Sequence, residues 1–217
     1  RPLAVLCLCA FGLSLAGCGG GSSSSSGTKN PVPSILSISP TGAPAGSRGL
    51  TLTVSGSKFV SGSVVHWGGS SRATKFVSST RLTAAITPED LASAGGKTVA
   101  VYNPAPGGGT SASLAFTVES VSRLSVMTRR LPDGVRERTY SYALQASGGI
   151  PPYAWAVTSG SLPDGLSLDA AGEISGTAPD VAVDTASDFT LQVSDDSYRT
   201  QTQAQSVRIL VRAASLG

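Results

Sequence analysis

Apolar side chains fall at every second position in short runs along most of this chain, and clusters of glycine, proline and serine cut the runs apart. Side chains that alternate between two faces mark a β-strand, and a strand with one apolar face needs a second layer to cover it. In residues 31–118, Leu50, Leu52 and Val54 alternate with Thr51, Thr53 and Ser55, and the pattern returns at Leu82, Ala84 and Ile86 and at Leu114, Phe116 and Val118. Val64-Val65-His66-Trp67 and Val99-Ala100-Val101-Tyr102 add two further runs, with turn clusters at 39–49, 68–71 and 104–109 between them. In residues 121–213 the alternating sets are Tyr140, Tyr142 and Leu144, then Tyr153, Trp155 and Val157, then Phe189, Leu191 and Val193, then Val207, Ile209 and Val211. Each segment therefore predicts an antiparallel sandwich, and 217 residues suffice for two small domains. Only 13% of residues are charged and 26 are glycine, which excludes a coiled coil and argues against a helical bundle; 40% hydrophobic residues exclude a wholly disordered chain. Pro88-Glu89-Asp90-Leu91 predicts one helical turn, with proline and acids suited to its start.

Ahead of the strands, residues 3–16 carry no charge and follow Arg1. The stretch is shorter than the ~20 residues of a membrane-spanning helix and suits the apolar region of a secretory signal. Leu15-Ala16-Gly17-Cys18 resembles the cleavage box of a bacterial lipoprotein, with small residues for the peptidase cleft and a thiol to carry a diacylglycerol. The resemblance implies a signal peptide over 1–17 and lipidation of Cys18, which starts a flexible Gly/Ser tether over 18–30. Cys7 and Cys9 lie in the removed part, so the mature chain has no disulfide. Two acyl chains, with palmitate as a further one on the amine, give stable membrane anchoring. Gly19, where an aspartate is associated with inner-membrane retention, implies the outer membrane of a bacterial cell envelope.

Ile38-Ser39-Pro40, Ala45-Gly46 before the Leu50–Gly56 strand, Phe59-Val60, Val65-His66-Trp67-Gly68 and the closing run from Val101-Tyr102-Asn103-Pro104 through Gly107-Gly108-Gly109 together resemble the IPT/TIG family. That resemblance implies an immunoglobulin-like module over 31–118. In the second segment, Gly148-Gly149-Ile150-Pro151-Pro152-Tyr153, Leu162-Pro163-Asp164-Gly165 and Gly172-Glu173-Ile174-Ser175-Gly176-Thr177 resemble the He_PIG family, a cadherin-like immunoglobulin module of bacterial surface proteins. It implies a second domain over 121–213. Trp155 is expected to plug its core and Ile174 to point inward, while 180–188 departs from the short glycine loop usual there. The fold class is thus all-β, two tandem immunoglobulin-like sandwiches after a signal peptide and Gly/Ser linker.

Catalytic chemistry finds little support. His66 is the only histidine, and alternation sets it opposite Val65 and Trp67 as a strand residue, with no G-x-S-x-G elbow for it to serve. Gly96-Lys97-Thr98 ends like a phosphate loop, but Leu91 stands where the loop needs glycine. Gly107-x-Gly109-x-x-Ala112 spells a dinucleotide fingerprint in a Pro-Gly loop that opens no helix. Ten of the thirteen acids lie in the second segment, mostly in turns, where Asp bonds its own backbone. Asp195 and Asp196 close a strand, and with Asp169 or Asp184 they are the candidate calcium ligands, as in cadherin-like modules; the competing reading is a solvated turn. No other cofactor is expected.

Residues 31–118 carry six basic and two acidic residues, whereas 121–213 carry eight and ten. Arg123, Arg129, Arg130, Arg136 and Arg138 crowd the start of the second segment, either to contact anionic glycan or headgroups or to protect an edge strand. A net charge of +3 and the export signal argue against nucleic acid. The sequence points to a non-enzymatic, membrane-anchored binding, adhesion or spacer protein whose partner is a surface glycan or another envelope protein. The alternative is an accessory of a secreted polysaccharide-degrading system, or a calcium-binding cadherin-like module.

Overall fold

The computed structural model describes residues 28–213; the expected signal segment, Cys18 and the tether up to residue 27 lie outside them. The first half is built from β1 (Ser34–Ser39), β2 (Gly42–Pro44), β3 (Leu50–Ser57), β4 (Val64–Trp67) and β5 (Ser70–Ser71). It continues with β6 (Thr74–Ser78), β7 (Arg81–Ile86), β8 (Gly95–Asn103), β9 (Gly109–Thr110) and β10 (Leu114–Glu119). One sheet has the order β1-β3-β7-β6; the other runs β2-β10-β8-β4-β5, with β9 paired to β8. The alternating residues do what their period demands. Leu52 and Val54 of β3 and Leu82, Ala84 and Ile86 of β7 face Val65 and Trp67 of β4, Val99 and Val101 of β8 and Phe116 and Val118 of β10 in one buried cluster. Trp67 meets Phe116 at a ring separation of 4.8 Å.

The second half holds β11 (Ser125–Val126), β12 (Gly134–Val135), β13 (Thr139–Ala143), β14 (Ala146–Ser147) and β15 (Ala154–Gly160). β16 (Leu166–Leu168), β17 (Glu173–Thr177), β18 (Thr185–Ser194) and β19 (Thr202–Arg212) follow. A four-stranded sheet β12-β19-β18-β15 lies against β13-β17-β16, and β11 pairs with β14. Trp155 and Ile174 are buried, as the sequence predicts, in a cluster with Tyr140, Phe189, Leu191, Val193, Val207, Ile209 and Val211. Gly172 makes room for the tryptophan: its φ is +98°, and a Cβ there would stand 2.6 Å from Trp155 Cδ1. Burial raises the Tyr140 phenol to about 12, and its hydroxyl donates to the Pro132 carbonyl at 3.1 Å. The irregular 180–188 stretch resolves into a loop that enters β18 at Thr185.

Bulges interrupt an outer strand in each half. The outer strands β1, β6 and β15 each carry a bulge, between Ile35 and Ser37, Phe76 and Ser78, and Val157 and Ser159. A bulged edge presents no regular ladder to a foreign strand.

Among the described residues there is no helix. The segment expected to make a helical turn winds through three successive i→i+3 backbone hydrogen bonds, from Asp90, Leu91 and Ala92 N–H to the carbonyls of Thr87, Pro88 and Glu89, and Thr87 Oγ1 also accepts from Asp90 N–H at 3.3 Å. Asp90 is fixed in turn by a two-pronged ion pair with Arg72, and that pair holds its carboxyl below the ordinary aspartate value. The turn matters because Leu91 carbonyl accepts from Gly46 N–H, and Gly46 is one of the first sandwich's contacts with the second.

Candidate functional site

β8 and β18 are long inner strands, one per sandwich, and a buried polar residue stands at the end of each. Asn103, the last residue of β8, is fully buried. Its Nδ2 donates to the Lys58 carbonyl at 2.7 Å and the Pro31 carbonyl at 2.9 Å, and its Oδ1 accepts from Ser63 at 2.6 Å. Asn30 joins this pole through the carbonyls of Pro104 and Pro106. The chain therefore enters the first sandwich here and leaves it at the opposite end, where Gly95 of β8 pairs with Val118 of β10.

Asp195 follows β18 and is 5% exposed. Its Oδ1 accepts from Ser197 Oγ at 2.6 Å and Gln201 N–H at 2.7 Å, and its Oδ2 from Ile150 N–H at 3.0 Å and Gln201 Nε2 at 3.2 Å. Burial pushes its carboxyl up, but these hydrogen bonds prevail and leave the pKa below its ordinary value. Gly149 admits the carboxylate: its φ is +63°, and a Cβ there would lie 2.6 Å from Oδ2. The loop so ordered reaches the first sandwich. Tyr198 N–H donates to the Gly46 carbonyl at 2.8 Å, and Arg48 Nε donates to Asp196 Oδ1 at 2.9 Å.

In this arrangement each candidate calcium ligand has a partner within the protein. Asp195 directs both oxygens at protein donors, Asp196 pairs with Arg48, and Asp169 accepts from Glu173 N–H within the turn between β16 and β17. Asp184, the other candidate partner, accepts from Ala213 N–H. Among the described residues no group of three or more His, Cys, Asp or Glu side chains is placed to hold a metal ion. The four aspartates are turn and junction residues.

His66 lies half-buried on the outer face of β4 and stacks on Tyr102 at 5.8 Å. Cys18, the expected lipidation residue, lies outside the described residues.

An open groove of about 640 Å³ lies on the second sandwich, in the half of the β18–β19 sheet away from Asp195. Arg129, Arg130, Arg208 and Arg212 line it with Asp133 and Asp188. Arg208 grips Asp188 through Nε at 2.7 Å and Nη2 at 2.8 Å, and Arg212 holds Asp133 Oδ2 at 2.6 Å. Arg129 and Arg130 are exposed and make no ion pair among the described residues. The hydrogen bond from Arg208 lowers the Asp188 pKa, the opposite of what a general acid requires. Of the clustered arginines, Arg129 and Arg130 reach this groove, while Arg136 pairs with Asp180 at 3.0 Å. Arg208 and Arg212 arrive from β19, far along the chain. Their signal in the sequence is the outward phase of Arg208, Leu210 and Arg212 between inward Val207, Ile209 and Val211.

A family model described as Putative Ig domain (He_PIG) matches residues 79–211, more than half of the chain. The chain belongs to this family. The He_PIG match begins in the turn between β6 and β7, inside the first sandwich, and runs to Val211 in β19, so it spans the junction as well as the second sandwich. A second model, IPT/TIG domain, matches residues 33–118, the stretch that forms the first sandwich. No curated protein matches the sequence. Among solved structures, the protocadherin GammaB4 extracellular domain is 14% identical over 83% of this chain and 33% of its own length, with a TM-score of 0.38. A tandem from titin is 12% identical over 86% and 66%, with a TM-score of 0.38, and Drosophila N-cadherin 7% over 83% and 50%, with a TM-score of 0.34. The chain spans about a third to a half of the protocadherin structures it matches. He_PIG and IPT/TIG domains are immunoglobulin-like modules of the kind typically involved in binding or adhesion.

Proposed function

We propose that this chain is a non-enzymatic, lipid-anchored envelope protein that presents its second sandwich to a partner. The observation that supports this is the order of its poles. The tether would lead into the Asn103 pole of the first sandwich, and the Gly46 and Asp195 poles form the junction. The arginine groove then lies in the distal half of the second sandwich, away from the anchor. Cys18 and the Gly/Ser run after it supply the attachment and the reach. Binding rather than turnover fits the groove, because both of its carboxylates are engaged by guanidinium groups. The test is incorporation of labelled palmitate by the bacterial cell. Label and membrane association in the unmodified chain, both lost in Cys18→Ser, support the proposal; a Cys18→Ser chain that stays labelled overturns it.

A further inference from the structure

We propose that the groove between the Arg129-Arg130 loop and the outer face of β18 and β19 binds an acidic polysaccharide chain. This rests on the binding-module reading above and names its site and ligand class. The charge is one argument. Four arginines face two aspartates, and both aspartates already have an arginine, so Arg129 and Arg130 leave the groove with excess positive charge. The Arg208–Asp188 pair is itself open to exchange, because its side chains are 62% and 65% exposed. Two donors of Arg208 are on Asp188, and the remaining N–H groups of its guanidinium are left for a ligand carboxylate or sulfate.

The floor is the second argument. Ser159, Thr190 and Ser206 lie side by side on it, each on a neighbouring strand of the sheet. Thr190 and Ser206 hydroxyls stand 3.2 Å apart. A row of small hydroxyl residues suits a polyhydroxylated ligand lying across the strands. A membrane surface is the poorer match: none of the large exposed apolar side chains lines this groove, and a concave site accepts a chain more readily than a plane.

The experiment is a calorimetric titration of the full chain at low salt with an oligogalacturonate, a neutral dextran fragment of equal length, and phosphatidylglycerol vesicles. The uronate is expected to bind and dextran not to. Arg129→Ser/Arg130→Ser should weaken the uronate by at least about fivefold, and added salt should weaken it further. Arg48→Ser/Arg81→Ser, an equal charge change outside the groove, should leave the affinity unchanged, and circular dichroism should find both variants folded. The proposal is overturned by no uronate binding, by equal dextran binding, by an unaffected groove variant, by an equal loss in the control variant, or by binding to vesicles alone. The titration does not depend on Cys18, so its failure is distinguishable from failure of the palmitate test.

Discussion

Asn103 and Asp195 occupy similar seats with opposite polarity. Each stands at the end of a long inner strand, and each takes a buried serine hydroxyl at 2.6 Å, from Ser63 and from Ser197. In the first sandwich a neutral carboxamide then turns its amino group to two carbonyls; in the second an ionised carboxylate gathers backbone and side-chain N–H groups. The choice follows from what the neighbouring loops offer. Carbonyls need a donor, and the turning backbone at 149–150 and 195–201 offers donors that need an acceptor. The consequence is that only the second pole, the one holding the junction loop, carries a buried acid.

Exchanging the two groups should break each pole. The largest effect is expected for Asn103→Asp, which sets an oxygen anion against the Lys58 and Pro31 carbonyls in a fully buried site. A loss of about 3–5 kcal/mol from the first sandwich should appear in thermal denaturation, with the second sandwich's transition retained. Asp195→Asn turns an amino group toward N–H donors and should cost the second sandwich about 2–3 kcal/mol by urea denaturation.

The same substitution sharpens the comparison through pH. The folded-state pKa of Asp195 is below its ordinary value of 3.8. Its stabilising contribution is therefore present above that ordinary value and is lost as pH falls through the lower, folded one. Urea midpoints of the second sandwich should fall with acid over that window in the unmodified chain, and fall less in Asp195→Asn. Asn103 does not titrate, so Asn103→Ala should lower the first sandwich's midpoint without altering its pH dependence.

Smaller effects separate the hub from its partners. Ser63→Ala removes the hydroxyl that donates to Asn103 and accepts from Val60 N–H, and Ser197→Ala the one shared between Asp195 and the Arg199 carbonyl; each should cost about 1–2 kcal/mol, read as a shift in the transition of the sandwich concerned. Arg48→Ala should change stability least, by about 0.5 kcal/mol or less in the same measurement, because the Arg48 and Asp196 side chains are 58% and 46% exposed.

The sandwiches themselves were legible because alternation is a local signal. Leu52 and Val54, or Ile209 and Val211, declare their inward face within a few residues, and the structure buries each of them. The roles of the polar residues were not, since they depend on partners distant in sequence. Asp195 and Asp196 look like a paired acidic site at a strand end, yet one meets Ile150 and the other Arg48, 148 residues away. Arg129 and Arg130 stood out as charge, whereas their companions Arg208 and Arg212 read only as the polar phase of a strand. Asn103 was visible as part of a family string, with nothing in the string to say that its amide would bridge two carbonyls from loops 45 and 72 residues away.

Whether the chain's own donors hold the Asp195 carboxylate is measured most directly by carbon-13 NMR of that carboxyl during an acid titration, with and without calcium. It should stay ionised to below its ordinary value of 3.8, with a chemical shift unmoved by calcium. A carboxyl that titrates above that value, or a resonance that follows added calcium, would contradict a pole built from the protein's own hydrogen bonds.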